Sequence, residues 1–275
     1  MITDRYEFSS QESIHFRVKG NGPHHVLFLH GFGASLLTWD DILPFFSPHE
    51  YTLHLLDLKG HGASVQNFRG DFSPQQNARI ISAYIRSSGI FQVTVIGHSF
   101  GGSVGMLAAL DLPQITRLIL IGAPLFPQKI PKFMRIMGIP LIGPLLTKTS
   151  SARTIARQAL EKVFFHHERI TEQHVQRYAL FYSSLASIRA LACTVRQIIP
   201  PDIDRIIDRV ATLSLPVLLL WGEQDRIVNP SQGMKLHATL KKSRMILIPD
   251  CGHNPHEELP LITYTLIRDF LQKFP

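Results

Sequence analysis

Short apolar runs rich in Val, Ile and Leu recur along the chain at residues 26–29, 52–56, 93–96, 118–121, 217–221 and 245–248. Each is followed by a Gly-containing turn and then by a stretch of helical period, the pattern of buried parallel strands joined by crossover helices. Ahead of them Ile14, Phe16 and Val18 alternate with polar residues, as in a half-solvated antiparallel strand at a sheet edge. Residues 74–88 carry Ala78, Ile81 and Ile85 at helical spacing, and residues 99–110 are small and apolar nearly all round, as expected of a helix buried against a sheet. Residues 261–274 align Leu266, Ile267, Phe270 and Leu271 on one helical face. The class is α/β: an open, mostly parallel, twisted sheet with helices on both faces.

The alternation stops between residues 125 and 209, where helical periodicity takes over. Ala152, Ile155, Ala156, Ala159, Leu160 and Val163 form an amphipathic stripe, and Thr171 is placed to N-cap a second helix running past Leu180. The expected organisation is a core of residues 1–124 and 210–275 interrupted by a helical cap, residues 125–209.

With 275 residues, 45% hydrophobic and 18% charged, the chain can bury one sizeable core and is too apolar to be disordered. Its apolar stretches end after a handful of residues, short of the roughly 20 that span a bilayer. The opening Met1-Ile2-Thr3-Asp4-Arg5-Tyr6-Glu7 has no apolar run of the secretory type, so a cytoplasmic location is expected. Cys193 and Cys251 lack metal-ligand spacing and are read as packing residues; no metal is expected. The formal net charge is +7, and residues 125–209 hold all of the excess, with 13 Lys/Arg against 6 Asp/Glu and a balance of 15 and 15 elsewhere. Those cations stand singly among apolar residues rather than in runs that track phosphates, so nucleic acid is not an expected partner.

In open α/β sheets ligands collect beyond the carboxyl ends of the strands. The run at 93–96 leads into Gly97-His98-Ser99-Phe100-Gly101, then Gly102 and an apolar helix, a G-x-S-x-G turn between strand and helix. A serine on so sharp a turn needs a strained backbone, and the flanking glycines let neighbouring chain pass closely. It also stands at the positive end of the following helix. A serine hydroxyl is a weak nucleophile until a base takes its proton, and the base needs an acid to fix its tautomer. After 217–221 comes Gly222-Glu223-Gln224-Asp225, and after 245–248 comes Pro249-Asp250-Cys251-Gly252-His253. The chain order Ser99, Asp225, His253 follows, with Glu223 and Asp250 as competitors for the acid. Among 14 histidines His253 stands out by position alone; His98 reads as support, His30 as orienting its loop, and His256 as a rim residue. The turn His30-Gly31-Phe32-Gly33 can expose backbone N–H groups, so the amides of Phe32 and Phe100 are the expected oxyanion donors.

These segments, with Asp57-Leu58-Lys59-Gly60-His61-Gly62-Ala63-Ser64 and Gly252-His253-Asn254-Pro255-His256-Glu257, resemble the serial motifs of the α/β-hydrolase fold superfamily. The resemblance is to its cap-bearing branch of esterases, lipases and carbon–carbon bond hydrolases. It implies a structural role for the 57–64 turn, with Lys59 where Pro or Arg is common. Haloalkane dehalogenases and epoxide hydrolases of this superfamily use an aspartate nucleophile, and Ser99 argues against both activities. Carbon–carbon hydrolases of ring-cleavage dienoates usually have Trp directly after the catalytic His, where Asn254 stands here.

The expected function is hydrolysis of a small carboxylic ester through a Ser-His-Asp triad and an acyl-enzyme, without a cofactor. The rivals are carbon–carbon cleavage of dienoates and a hydrolase-like ligand receptor. Substrate contacts are expected from His30, Gly31, Phe126, Phe133 and Met137, within an apolar stretch that includes Ile130, Met134, Ile139, Leu141, Ile142, Leu145 and Leu146. A basic cap would steer carboxylate substrates, with Arg177 and Arg189 as anchors, or touch an anionic membrane surface transiently without stable insertion. Monomer and homodimer are both open.

Overall fold

In this computed structural model residues 1–9, 12–64, 70–139 and 151–274 are described, except for the side chain of Met137. Eight strands form one sheet in the order β1-β2-β4-β3-β5-β6-β7-β8. They are β1 (Ile2–Ser9), β2 (Glu12–Lys19), β3 (His24–Leu29), β4 (Tyr51–Leu56), β5 (Val93–His98), β6 (Ile115–Ile121), β7 (Val217–Gly222) and β8 (Ser243–Ile248). The pairs β1/β2 and β2/β4 are antiparallel, and every later pair is parallel.

Each of the six apolar runs is a strand, five of them buried on both faces and the edge strand β8 half-buried, and the pleat sorts their residues in two. Leu27, Leu29, Val93, Val95, Leu118, Leu120, Val217 and Leu219 face one side. There they pack with helices α1 (Pro74–Ser87) and α2 (Phe100–Asp111) through Ile81, Ile85, Val104 and Ala108. Val26, Phe28, Ile96, Ile119, Ile121, Leu218 and Leu220 face the other side, over Trp39 and the last helix. Because both faces are covered, the reactive loops are confined to the strand ends.

Between β6 and β7 the described residues contain helices and no strand: α3 (Lys132–Met137), α4 (Ala152–Val163), α5 (Glu172–Tyr182), α6 (Leu185–Gln197) and α7 (Ile203–Val210). The six residues of the amphipathic stripe all join a separate buried cluster with Phe164, Val175, Phe181, Tyr182 and Leu191. Thr171 caps α5 as expected, its hydroxyl accepting the His174 N–H. The boundary drawn at residue 209 falls inside α7, whose Ile206 and Val210 pack into the core cluster with Val104 rather than into that of the insertion. No single helix among the described residues is long and apolar enough to cross a membrane.

β1 and helix α8 (Pro230–Thr239) lie outside the elements expected from the pattern. β1 places Tyr6 and Phe8 on the core, but its charged neighbours mask the alternation. Helix α8 starts on an Asn229 cap with Pro at its first position, a start signal that is local and legible. Helices α9 (Pro255–Glu258) and α10 (Pro260–Lys273) close the chain.

Candidate active site

Ser99 follows β5 as the N-cap of α2 at φ 50° and ψ −118°, the positive φ that its turn demands of a side-chain-bearing residue. Backbone bonds hold it there: its N–H donates to the Ile121 carbonyl at 2.8 Å, and its own carbonyl accepts from Gly102 at 2.9 Å. The glycines of the motif are required by contact. A Cβ on Gly101 would lie 2.3 Å from the Leu29 carbonyl oxygen, and one on Gly97 would lie 2.6 Å from Gly102 Cα. Strand, turn and helix thus approach more closely than any other residue allows, and the serine is left at the helix N-terminus.

Asp225 and His253 are brought together by the turns after β7 and β8. Glu223 N–H donates to the Ile248 carbonyl, Gln224 N–H to that of Cys251, and Cys251 N–H to the Gln224 side chain at 3.0 Å. Within this clasp His253 Nδ1 donates to Asp225 Oδ2 at 2.7 Å, while Asp225 Oδ1 accepts the N–H groups of Ile227 at 2.8 Å and Val228 at 2.9 Å. The aspartate therefore fixes one tautomer and leaves Nε2 to the cavity side. Glu223 and Asp250 are both exposed, and of the three expected acids Asp225 is the one bonded to His253. The Cys251 thiol is pushed far up by burial and stays protonated.

Ser99, His253, Phe32 and Phe100 line one cavity of about 150 Å³. Among the described residues neither the Phe32 nor the Phe100 N–H donates to a protein acceptor, which leaves both available to an oxyanion. Phe126 and Phe133 line the cavity as expected, with Met106, Ile203 and Ile227; the side chain of Met137 and residues 141–146 lie outside what is described. Four expectations are corrected. His30 is fully buried, bonded to the Gly31 carbonyl and accepting the Leu58 N–H, so it braces the turn and does not reach substrate. Gly31 is buried beside His98 and Ser99 and does not line the cavity. His256 is no rim residue: it is fully buried against Trp39, with Nε2 on the Thr38 hydroxyl at 3.0 Å. Arg177 is held by Asp41 at 2.9 Å, away from the cavity, and Arg189 is exposed outside it. His98 supports the site as expected, donating from Nε2 to the His253 carbonyl at 3.0 Å. Asp57 is structural, tying His15, Leu36 and Ala63 together.

Sequence reasoning missed how the insertion grips the base. The His253 N–H donates to the Val163 carbonyl at 2.6 Å, at the end of α4. In return the buried Glu258 carboxylate accepts the N–H groups of His166 at 2.9 Å, Phe165 at 3.1 Å and Gly252 at 2.9 Å. Glu258→Gln would set an NH₂ against these donors. It is expected to cost about 2–3 kcal/mol in urea unfolding, with kcat falling because His253 loosens; an unchanged midpoint would make the clasp dispensable. Nothing local marks Glu258 as a tie to the insertion, since two of its three donors, Phe165 and His166, lie 93 and 92 residues earlier.

Asp41, His174 and Glu257 also converge within 4.8 Å. His174 Nδ1 accepts the Thr171 N–H, so Nε2 carries the proton and donates to Asp41 Oδ2 at 2.7 Å, with Arg177 on the same oxygen. The imidazole, both of whose nitrogens are engaged, offers no lone pair to a metal.

A strained serine, an aspartate-bound histidine and two unengaged amides at the strand ends of this sheet define an α/β hydrolase. Residues 26–263 match the model of the alpha/beta hydrolase family, and the chain belongs to that family as an enzyme. It is 24% identical over 255 residues to an uncharacterized hydrolase, YugF, of Bacillus subtilis, covering 91% of each chain. It is 26% identical over 255 residues to the 2-hydroxy-6-oxononadienedioate/2-hydroxy-6-oxononatrienedioate hydrolase of Klebsiella pneumoniae, covering 87% of this chain and 84% of that one. The solved epoxide hydrolase CorEH superposes with a TM-score of 0.83 at 20% identity, over 100% of this chain and 99% of that chain, a likeness of fold.

Proposed function

We propose that this hydrolase cleaves small, uncharged carboxylic esters with Ser99 as nucleophile, His253 as base and Asp225 as its orienting acid. The reading is carried by one observation: Ser99 and His253 share a cavity while the 2.7 Å bond to Asp225 sets the histidine tautomer. Ser99 Oγ adds to the carbonyl carbon as its proton passes to His253 Nε2. The carbonyl π pair moves onto oxygen, facing the Phe32 and Phe100 amides. Collapse expels the alcohol, which takes the proton back from His253, and water repeats the cycle on the acyl-enzyme. The described part of the insertion, through Phe126, Phe133, Val163 and Tyr182, acts as the cap over this chemistry.

The lining supports an apolar substrate. Its described residues include no Lys, Arg, Asp or Glu, and the polar groups are few: Ser99, Ser103, Gln128, His98, His253, Asn254, Tyr178 and Tyr182. A volume of this size suits an acyl group near that of benzene, so butyrate, hexanoate and benzoate esters should be turned over fastest and long acyl chains poorly. Carbon–carbon cleavage is the second reading, favoured by the likeness to the Klebsiella enzyme; it would require a dienoate carboxylate to be held without a cation in the described lining.

A fluorophosphonate probe should label the wild type and not Ser99→Ala, and a nitrophenyl ester series should peak at short acyl groups. Negligible ester turnover beside rapid turnover of a dienoate ring-cleavage product would hand the reaction to carbon–carbon cleavage. No labelling at Ser99 would remove the nucleophile itself.

A further inference from the structure

Tyr182 is the last residue of α5, and its side chain lines the cavity with Ser99 and His253 while only 6% exposed as a residue. Its hydroxyl sits against the Phe32 turn. A Cβ added to Gly33, the residue after Phe32, would stand 2.8 Å from the phenol oxygen, so glycine at 33 both meets a φ of +73° and leaves room for the hydroxyl. Among the described residues that hydroxyl has no hydrogen-bond partner. The contrast with Tyr178, one turn earlier on the same helix, is direct: the Tyr178 hydroxyl donates to Glu257 Oε2 at 2.8 Å and accepts from Asn254. One phenol of the pair is consumed by the fold, and the other is presented to the cavity beside a turn whose own N–H is also unengaged.

With no protein partner among the described residues of the cavity wall, the Tyr182 hydroxyl keeps its donor for whatever enters the site. The Gln128, Ser103 and Tyr178 polar groups of the lining are bonded to protein atoms. We propose that the Tyr182 hydroxyl donates a hydrogen bond to the oxyanion of the tetrahedral adduct, as a third donor beside the Phe32 and Phe100 amides. The inference rests on the ester-hydrolase reading. As the Ser99 Oγ–carbon bond forms, the carbonyl π pair becomes the oxyanion lone pair and the serine proton goes to His253; Tyr182 keeps its proton and only donates. Burial holds the phenol far above its ordinary range, so it acts as a neutral donor throughout. The donor comes from the inserted helix, whereas the two amides come from the core. The oxyanion site would then be complete only with α5 in place, which makes the insertion part of the catalytic apparatus.

The test is Tyr182→Phe, which removes one oxygen and keeps the ring. With nitrophenyl butyrate, kcat should fall about 10–100-fold while KM stays within about twofold, the split expected of a bond made only in the transition state. Fluorophosphonate labelling of Ser99 should slow by a similar factor, and Tm should hold because the hydroxyl makes no bond to the fold among the described residues. A kcat within about twofold of the wild type, or a raised KM at unchanged kcat, overturns the donor role. A fall in Tm that accounts for the lost activity overturns it as well, by making Tyr182 a packing residue. Wild-type protein that is not labelled at Ser99 refutes the ester reading itself; labelled wild type with a fully active Tyr182→Phe refutes only the role of Tyr182.

Discussion

Asp225→Asn should fold normally and lose about 10³–10⁴-fold in kcat, equivalent to about 4–5 kcal/mol of barrier. The carboxamide can still accept the Ile227 and Val228 amides through its oxygen, so the turn survives. What remains for His253 Nδ1 is then an NH₂ donor. The imidazole must turn its lone pair toward the amide and carry its proton on Nε2, where it cannot take one from Ser99. Initial rates on nitrophenyl butyrate, with Tm as the control for folding, measure the effect. Activity within tenfold of the wild type would show that His253 is oriented by something else, and the clasp between the turns after β7 and β8 would be its only support.

Acid should unfold the protein through its buried histidines. Burial holds His54 down to about 4 and His61 and His256 to about 3, and puts His98 well below the usual range. His54 is additionally boxed in, with Nδ1 on the Tyr84 hydroxyl at 2.9 Å and Nε2 on His25 at 3.0 Å. In the folded state these rings are neutral, whereas in the unfolded chain they take protons below the ordinary value of 6.5. The unfolded state therefore binds more protons at every pH between about 6.5 and 4, and stability falls as pH falls through that window. His54 alone contributes roughly 3 kcal/mol by pH 4. Glu257 and Asp40 have the opposite sign, since burial raises their carboxyls and favours the protonated form in the fold, but they are two carboxyls against these four histidines. Urea midpoints should drop steeply below about pH 6. A flat profile down to pH 4.5 would mean that these rings reach water in the folded state.

Much of this molecule was legible in the linear chain. Runs such as 217–221 are apolar at every position because both faces of the sheet are covered, and that signal is local. The serine turn was readable because the steric demand that selects Gly97 and Gly101 acts within five residues. The chain order favours Asp225 for the acid but leaves Glu223 and Asp250 as competitors. Which of them reaches the ring depends on how the two turns are clasped. His30 and His256 looked available as polar residues near the site, yet both are spent inside the fold, on the Leu58 amide and the Thr38 hydroxyl.

By itself the chain settled the α/β class and the order of the strands along it, and it singled out Ser99 and His253 as candidates, because each follows from periodicity or from a turn built of neighbours. Only the packed molecule decided that Asp225 carries the histidine, that Arg177 is neutralised by Asp41, and that Glu258 and Val163 bind the insertion to the base. Those are encounters between residues 28 to 136 positions apart. Hydrogen bonds and desolvation act over a few ångströms of space, and distance along the polypeptide carries no information about which groups will meet.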